Sequence, residues 1–182
     1  METLVEALVQ ALRLIAERDP GLFEIVLLSL RVSGIALLLS TFMGVPAGAF
    51  LGLRRFVGRQ AILAFLYTGM GFPPVVIGLF VYLFLSRSGP LGSLNSPLVP
   101  ALFTPAAMIV AQTIIALPLV AGFTMAAVMG VDPHLRLQIR ALGATPRQSL
   151  WAILAEARVG VLVSVIAGFG SIISEVGAVM LV

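Results

Sequence analysis

The sequence has no cysteine and no lysine, and only 10% of its residues are charged. Without cysteine there are no disulfides, no thiolate nucleophile and no cysteine metal site, although a compartment does not follow from that. Without lysine the chain cannot build a G-x-x-x-x-G-K-[ST] phosphate loop, whose lysine contacts nucleotide phosphates. The chain therefore offers no such nucleotide site of its own. Histidine is nearly absent too. The single one, His134, sits beside Pro133 at a helix start and reads as a surface or capping residue. No paired carboxylates and no nucleophile–base arrangement stand out. The chain is thus not expected to be an enzyme, and no catalytic residue, cofactor or metal ligand is assigned.

What is abundant is apolar: 60% of the residues are hydrophobic. A soluble domain typically carries about a quarter charged residues. Uncharged runs occupy 32–53, 60–86, 88–131 and 159–174, the last interrupted by Glu175 before continuing to 182. A helix needs roughly 20 apolar residues to cross a bilayer. The pattern predicts an all-α integral membrane protein with about four transmembrane helices. Residues 1–21 form a separate N-terminal segment, with an amphipathic helix over 3–17. Leu4, Leu8, Leu12 and Ile15 share one face, and Asp19, Pro20 and Gly21 end the helix. It is read as a helix lying on the membrane, with a soluble extension as the other reading. Its charged and apolar residues alternate, unlike a signal peptide.

The first span is expected to follow Arg31 and carries small residues at every fourth position: Ala36, Ser40, Gly44, Gly48 and Gly52. Such a stripe predicts a face where another helix approaches closely. Pro46 is a potential bend. The second span contains Pro73 and Pro74, which together remove two backbone donors. Broken backbone at membrane depth survives only against protein or a water-filled cavity. The segment is a candidate pore wall, or else a kink near the membrane surface. A turn-rich loop with one charge, Arg87, spans 86–97. The third span falls within 105–129, with Gln112, Thr113 and Pro118 inside it.

The net charge of +3 comes with a positive set made only of arginine. Those arginines sit between apolar spans, which points to membrane topology and not to nucleic acid. Arg54, Arg55 and Arg59 cluster in one loop, and Arg136, Arg140, Arg147 and Arg158 in another, whereas the loop between them has only Arg87. Both rich loops are expected on the cytoplasmic side, with the N-terminus external.

The loop at about 130–158 is too long for a passive connection between helices, commonly 2–8 residues. Asp132-Pro133 and Thr145-Pro146 are each a helix start, and Gly143 is a plausible left-handed stop between them. A short helix, a glycine turn and a second short helix are expected.

This loop resembles the cytoplasmic loop of ABC importer permeases, which has the form E-A-A, three residues, G, nine residues, I-x-L-P. Aligned on Gly143, the chain supplies Gly143 and Ile153 at the right separation. Leu137-Gln138-Ile139 stands where the triplet would be, and Ala155-Glu156 replaces the final pair. Residues 69–92, 154–158 and 173–180 are similar to the tungstate branch of the molybdate/tungstate permeases, a likeness that runs from about 22 to 182. The resemblance implies a type I ABC importer permease fold over 22–182, expected to lack the final helix of that fold. It implies coupling to an ATPase through Gln138, Ala141, Gly143, Ala144, Arg147 and Ile153. It also implies a homodimer in the cell (inner) membrane and its lipid, two cytoplasmic ATPase subunits, an external anion-binding protein, and import of tungstate or molybdate by alternating access. Sulfate or another solute carried by the same machine is the nearest alternative. A secondary transporter or a structural membrane anchor are the others.

Pro73, Pro74 and Glu175 are the candidate pore or helix-contact residues. A carboxylate within a span costs several kcal/mol unless paired, protonated or hydrated. Glu175 is therefore expected to face protein or a cavity, either as a structural contact or as a pore or gating residue. The spans carry no arginine after Arg31, which suits an anion path, since conduction needs binding weak enough for release.

Overall fold

In the computed structural model the described residues are 20–94, 96 and 99–175. The amphipathic helix expected over 3–17 lies outside them. The described α-helices are α1 (Pro20–Leu53), α2 (Arg59–Gly71), α3 (Pro74–Leu85), α4 (Pro105–Met129), α5 (Pro133–Ala141), α6 (Pro146–Glu156) and α7 (Arg158–Ser174), with a 3₁₀ turn at Gly92–Leu94. Helices α1 and α4 are each long and apolar enough to cross a membrane. Two further pairs are bent, α2 with α3 by 106° and α6 with α7 by 68°.

Helix α4 is the axis of the fold and touches α1, α2, α3 and α7. Its 25 residues rise about 37 Å, enough for a hydrocarbon core of about 30 Å. Thr104 caps its start by accepting from the Ala107 N–H, and Pro105 occupies the first turn, where its missing N–H costs nothing.

The small-residue stripe of α1 packs on α4. A Cβ at Gly44 would meet Val120 at 3.0 Å, one at Gly52 would meet the Met125 carbonyl at 3.1 Å, and one at Gly48 would run into the Ala121 carbonyl. Ala36 and Ser40 are fully buried on the same face. The Ser40 hydroxyl lies 2.7 Å from the Ala36 carbonyl and 3.3 Å from that of Thr113. Helix α1 is longer than the apolar run predicts. It begins at Pro20, includes Glu24 and Arg31, both exposed, and continues through Pro46 without interruption. The segment after Pro20 is otherwise rich in leucine, isoleucine, valine and phenylalanine, so nothing stops a helix before the span begins.

Helix α7 lies against α4 and brings a second stripe, Gly160, Ser164 and Gly168. Gly160 faces Ala127, Ser164 bonds Thr124, and Gly168 faces Val120 with Ala116 just beyond, so the two helices run antiparallel. Without polar solvent between them, membrane helices associate by this kind of close packing and by interhelical hydrogen bonds.

The run 60–86 is not one straight span. Phe72 and Pro73 are extended, at φ −68°, ψ 131° and φ −61°, ψ 126°, and they separate two helices at nearly a right angle. The cause is local, since neither proline can donate to the preceding turn. Helix α2 packs Leu63, Leu66 and Met70 on Leu51, Ala121 and Met125. Helix α3 packs Ile77, Val81 and Leu85 on Ala107, Ala111 and Ile115, the other half of α4. The apolar run 159–182 is likewise not one helix within the described residues. Helix α7 ends at Ser174, where the Glu175 N–H closes a tight turn on the Ile172 carbonyl at 3.3 Å.

Candidate functional site

The two arginine-rich loops meet at one end of the bundle. The Arg59 Nε donates to the Leu51 carbonyl at 2.9 Å, and its guanidinium reaches the Met129 sulfur at the end of α4. The Arg136 Nη2 donates to the Val128 carbonyl. Arg87 lies at the opposite end, in the loop that precedes the start of α4.

The loop after α4 is built as its local chemistry predicts. The Asp132 carboxylate accepts from the His134 N–H at 2.8 Å, and Pro133 opens α5. Gly143 has φ +79°, the left-handed region. The Gly143 N–H donates to the Arg140 carbonyl at 3.0 Å and the Ala144 N–H to the Ile139 carbonyl at 3.3 Å. That pair of bonds is the Schellman arrangement, which satisfies carbonyls left open at a helix end. Thr145 then starts α6 with a reciprocal cap. Its backbone N–H donates to Gln148 Oε1 at 2.8 Å, while the Gln148 N–H donates to Thr145 Oγ1. Gln148 is a residue that the sequence reading passes over, although glutamine three residues after Thr145 is the mark of this box.

Ile153 fastens the loop to the bundle. It is 5% exposed, in a cluster with Ala49 of α1, Val128 and Val131 at the end of α4, and Ala157. Gln138, Ala141, Gly143 and Arg147 are exposed, and Ala144 is half-buried. Beside them Leu137, Leu142 and Trp151 leave 63%, 87% and 72% of their surface uncovered. The loop is thus capped and anchored on its inner side, and on its outer side it presents three large apolar side chains among polar and charged ones.

Four arginines share a groove at this end. Arg54 and Arg55 from the α1–α2 loop and Arg136 and Arg140 from α5 line a cavity of about 440 Å³, together with Leu53, Ala144, Pro146, Ser149, Leu150 and Ile153. None of the described lining residues is acidic. The arginines are readable as topology signals; their convergence is not, because the two pairs lie far apart in the chain.

The Pro73–Pro74 break lies level with the middle of α4. A Cβ at Gly69, just before it, would meet Pro118 at 3.0 Å, and Pro118 is midway along α4. Phe72 and Pro73 are exposed and Pro74 is half-buried, so this chain leaves the irregular backbone uncovered. The bend of α2 against α3 also frames an apolar cavity of about 670 Å³, in which Thr68 is the one lining residue with a polar side chain.

Glu175 is the C-terminal cap of α7 and is half-buried. It lies one turn past Ile172, which packs with Ala36 and Ala116. One turn from Ala116 toward the start of α4 is Gln112, 5% exposed, whose Oε1 has no hydrogen-bond partner among the described residues. The buried Thr41 hydroxyl likewise has none among them. These polar groups sit in the half of the bundle away from the arginines.

Comparison with known proteins gives a family. Residues 44–182 match the profile of the binding-protein-dependent transport system inner membrane component. A Haloferax volcanii protein named "Probable anion ABC transporter permease protein" is 43% identical over 161 residues, covering 88% of this chain and 67% of its own length. The tungstate uptake system permease protein TupB of Peptoclostridium acidaminophilum is 34% identical over all 182 residues, 78% of its own length. TupB of Campylobacter jejuni is 29% identical over the same span, 74% of its length.

Proposed function

The chain belongs to the family of binding-protein-dependent transport system inner membrane components, and from that premise we infer that it moves a tetrahedral oxyanion, with tungstate ahead of molybdate, into the cell. It is a multi-pass membrane protein with the type I ABC importer permease fold, and it works with an ATPase and a substrate-binding protein. Tungstate is the cargo in the names of two relatives that align over the full length of this chain.

The observation that carries the mechanism is the loop from Asp132 to Ala157. Its inner face is pinned by Ile153 to the ends of α1 and α4, and its outer face presents Leu137, Leu142 and Trp151. An ATPase gripping that outer face moves the bundle and not a slack tether. Gly143 and the caps around it keep the two short helices at a fixed angle, with Gln138, Ala141, Ala144 and Arg147 along the same segment. The arginine-bearing end is then cytoplasmic and the N-terminus external, a reading supported by the bias of arginine toward cytoplasmic loops.

The exposed break at Phe72 and Pro73 supports a pore made by two copies of the chain. Irregular backbone at mid-depth cannot face lipid. It faces a second protomer or a water-filled path, and a homodimer supplies both. In this reading Glu175 is a helix or protomer contact in the half of the bundle away from the ATPase, set off the anion path, because a fixed negative charge in that path would repel the cargo.

ATP hydrolysis by the reconstituted complex of permease, ATPase and binding protein tests the reading. Tungstate-loaded binding protein is expected to raise hydrolysis above the unloaded protein. Equal hydrolysis with sulfate-loaded or empty binding protein would remove the cargo assignment.

A further inference from the structure

We propose that the groove lined by Arg54, Arg55, Arg136 and Arg140 is a binding site for a tetrahedral oxyanion, the phosphate of an anionic phospholipid or a free inorganic oxyanion. The cavity holds about 440 Å³, and four guanidinium groups border it with no carboxylate among the described lining residues. The arginines come from two segments far apart in sequence, so their convergence is a product of the fold. Like charges brought together repel, and a bound anion relieves that cost. Arg136 is held at the groove by its Nη2, which donates to the Val128 carbonyl, and its Nε has no hydrogen-bond partner among the described residues. A guanidinium donates through a planar fork that matches phosphate oxygens, which makes arginine the residue of choice for such a ligand.

The walls favour a ligand with both an anionic and an apolar part. Leu53, Leu150 and Ile153 line the groove beside the arginines. Arg54 follows directly on the last residue of α1, so the guanidinium groups stand where an apolar span reaches the headgroup layer. Leu137, Leu142 and Trp151, which present the outer surface of the loop, are not among the lining residues. The proposal needs only this geometry and holds whatever the transporter carries.

The purified full chain in nanodiscs provides the test. In one arm the discs contain phosphatidylcholine with a minor fraction of phosphatidylglycerol or cardiolipin, and lipids retained by the protein are counted by native mass spectrometry. In the other arm the discs are pure phosphatidylcholine, and equilibrium dialysis follows inorganic phosphate and molybdate. Retention in the first arm alone identifies the lipid phosphate; saturable binding in the second identifies the free anion. The triple variant Arg54→Gln, Arg55→Gln and Arg140→Gln is expected to weaken binding roughly 100-fold, from about fivefold per arginine near a charged headgroup layer. Those three side chains make no described side-chain hydrogen bond, so the variant is expected to fold. Arg136→Gln is a second variant, expected to weaken binding on its own, and Arg87→Gln at the opposite end is expected to bind as wild type. The proposal is overturned if neither anion binds, or if Arg87→Gln lowers binding as much as the triple variant. It is also overturned if the triple variant binds no less anion and instead loses the ATPase, which would make the groove a protein contact.

Discussion

The hydroxyl oxygens of Thr124 and Ser164 lie 2.9 Å apart, both completely buried, where α4 crosses α7. Ser164 donates to the Val161 carbonyl at 2.6 Å, so Thr124 donates to Ser164. This bond sits in the stripe of small residues that lets α7 approach α4, between Gly160 and Gly168. A double-mutant cycle with Thr124→Val and Ser164→Ala is expected to give a coupling energy of about 0.6 kcal/mol, the average for interhelical hydrogen bonds in a bilayer, and at most about 1.7. The check is reversible unfolding in bicelles. A coupling near zero would mean that packing alone holds the crossing.

Two glycines of α1 with opposite surroundings should behave oppositely. A methyl at position 48 would run into the Ala121 carbonyl and the Thr124 side chain, whereas a methyl at position 34 would meet nothing within 4 Å. Gly48→Ala is expected to cost about 1–3 kcal/mol by overpacking. Gly34→Ala is expected to be neutral or slightly stabilising, because alanine is the better helix former. Thermal melts of the two variants in detergent decide it.

Gly143 sits in open space at φ +79°, so a substitution there meets strain and no clash. Gly143→Val is expected to cost about 1–2 kcal/mol at the turn, to leave membrane insertion intact, and to reduce both recovery of the ATPase on affinity purification and substrate-stimulated hydrolysis. Gly143→Asn, which tolerates the left-handed region better, should retain more of both. Full coupling in the valine variant would remove Gly143 from the transmission path.

Orientation can be read with cysteines placed in a chain that has none. Val57 is fully exposed near Arg54 and Arg55, and Ser93 is exposed at the other end. An impermeant maleimide added to intact cells is expected to label Ser93→Cys at once and Val57→Cys only after permeabilisation. The reverse pattern would invert the topology and move the proposed coupling loop outside.

What can be read from the sequence is local. The ends of α5 and α6 follow from Asp132, Gly143 and Thr145, whose preferences act within a few residues. The α1 stripe is legible as a packing face, but its partner is not, since the spacing of Gly44 and Gly48 says nothing about Val120 or Ala121. The matching stripe of Gly160, Ser164 and Gly168 has the same four-residue spacing, yet only its contacts with Ala127, Thr124 and Val120 reveal which helix it meets. Pro73 and Pro74 announce a break, whereas its 106° angle and mid-bundle depth depend on Gly69 meeting Pro118 and on α3 packing across the first half of α4. The arginine groove is tertiary in origin and has no signature in either loop alone.

The central claim is import of a tetrahedral oxyanion driven by ATP. The most direct measurement follows labelled tungstate leaving inside-out vesicles that carry the complete transporter, with the binding protein and tungstate enclosed and ATP supplied outside, on the ATPase side. Tungstate is expected to cross toward the ATPase side only when ATP is hydrolysed, molybdate to compete well, and a large excess of sulfate to compete weakly. Transport that proceeds without ATP, or that carries an amino acid or peptide and ignores tungstate, would contradict the account.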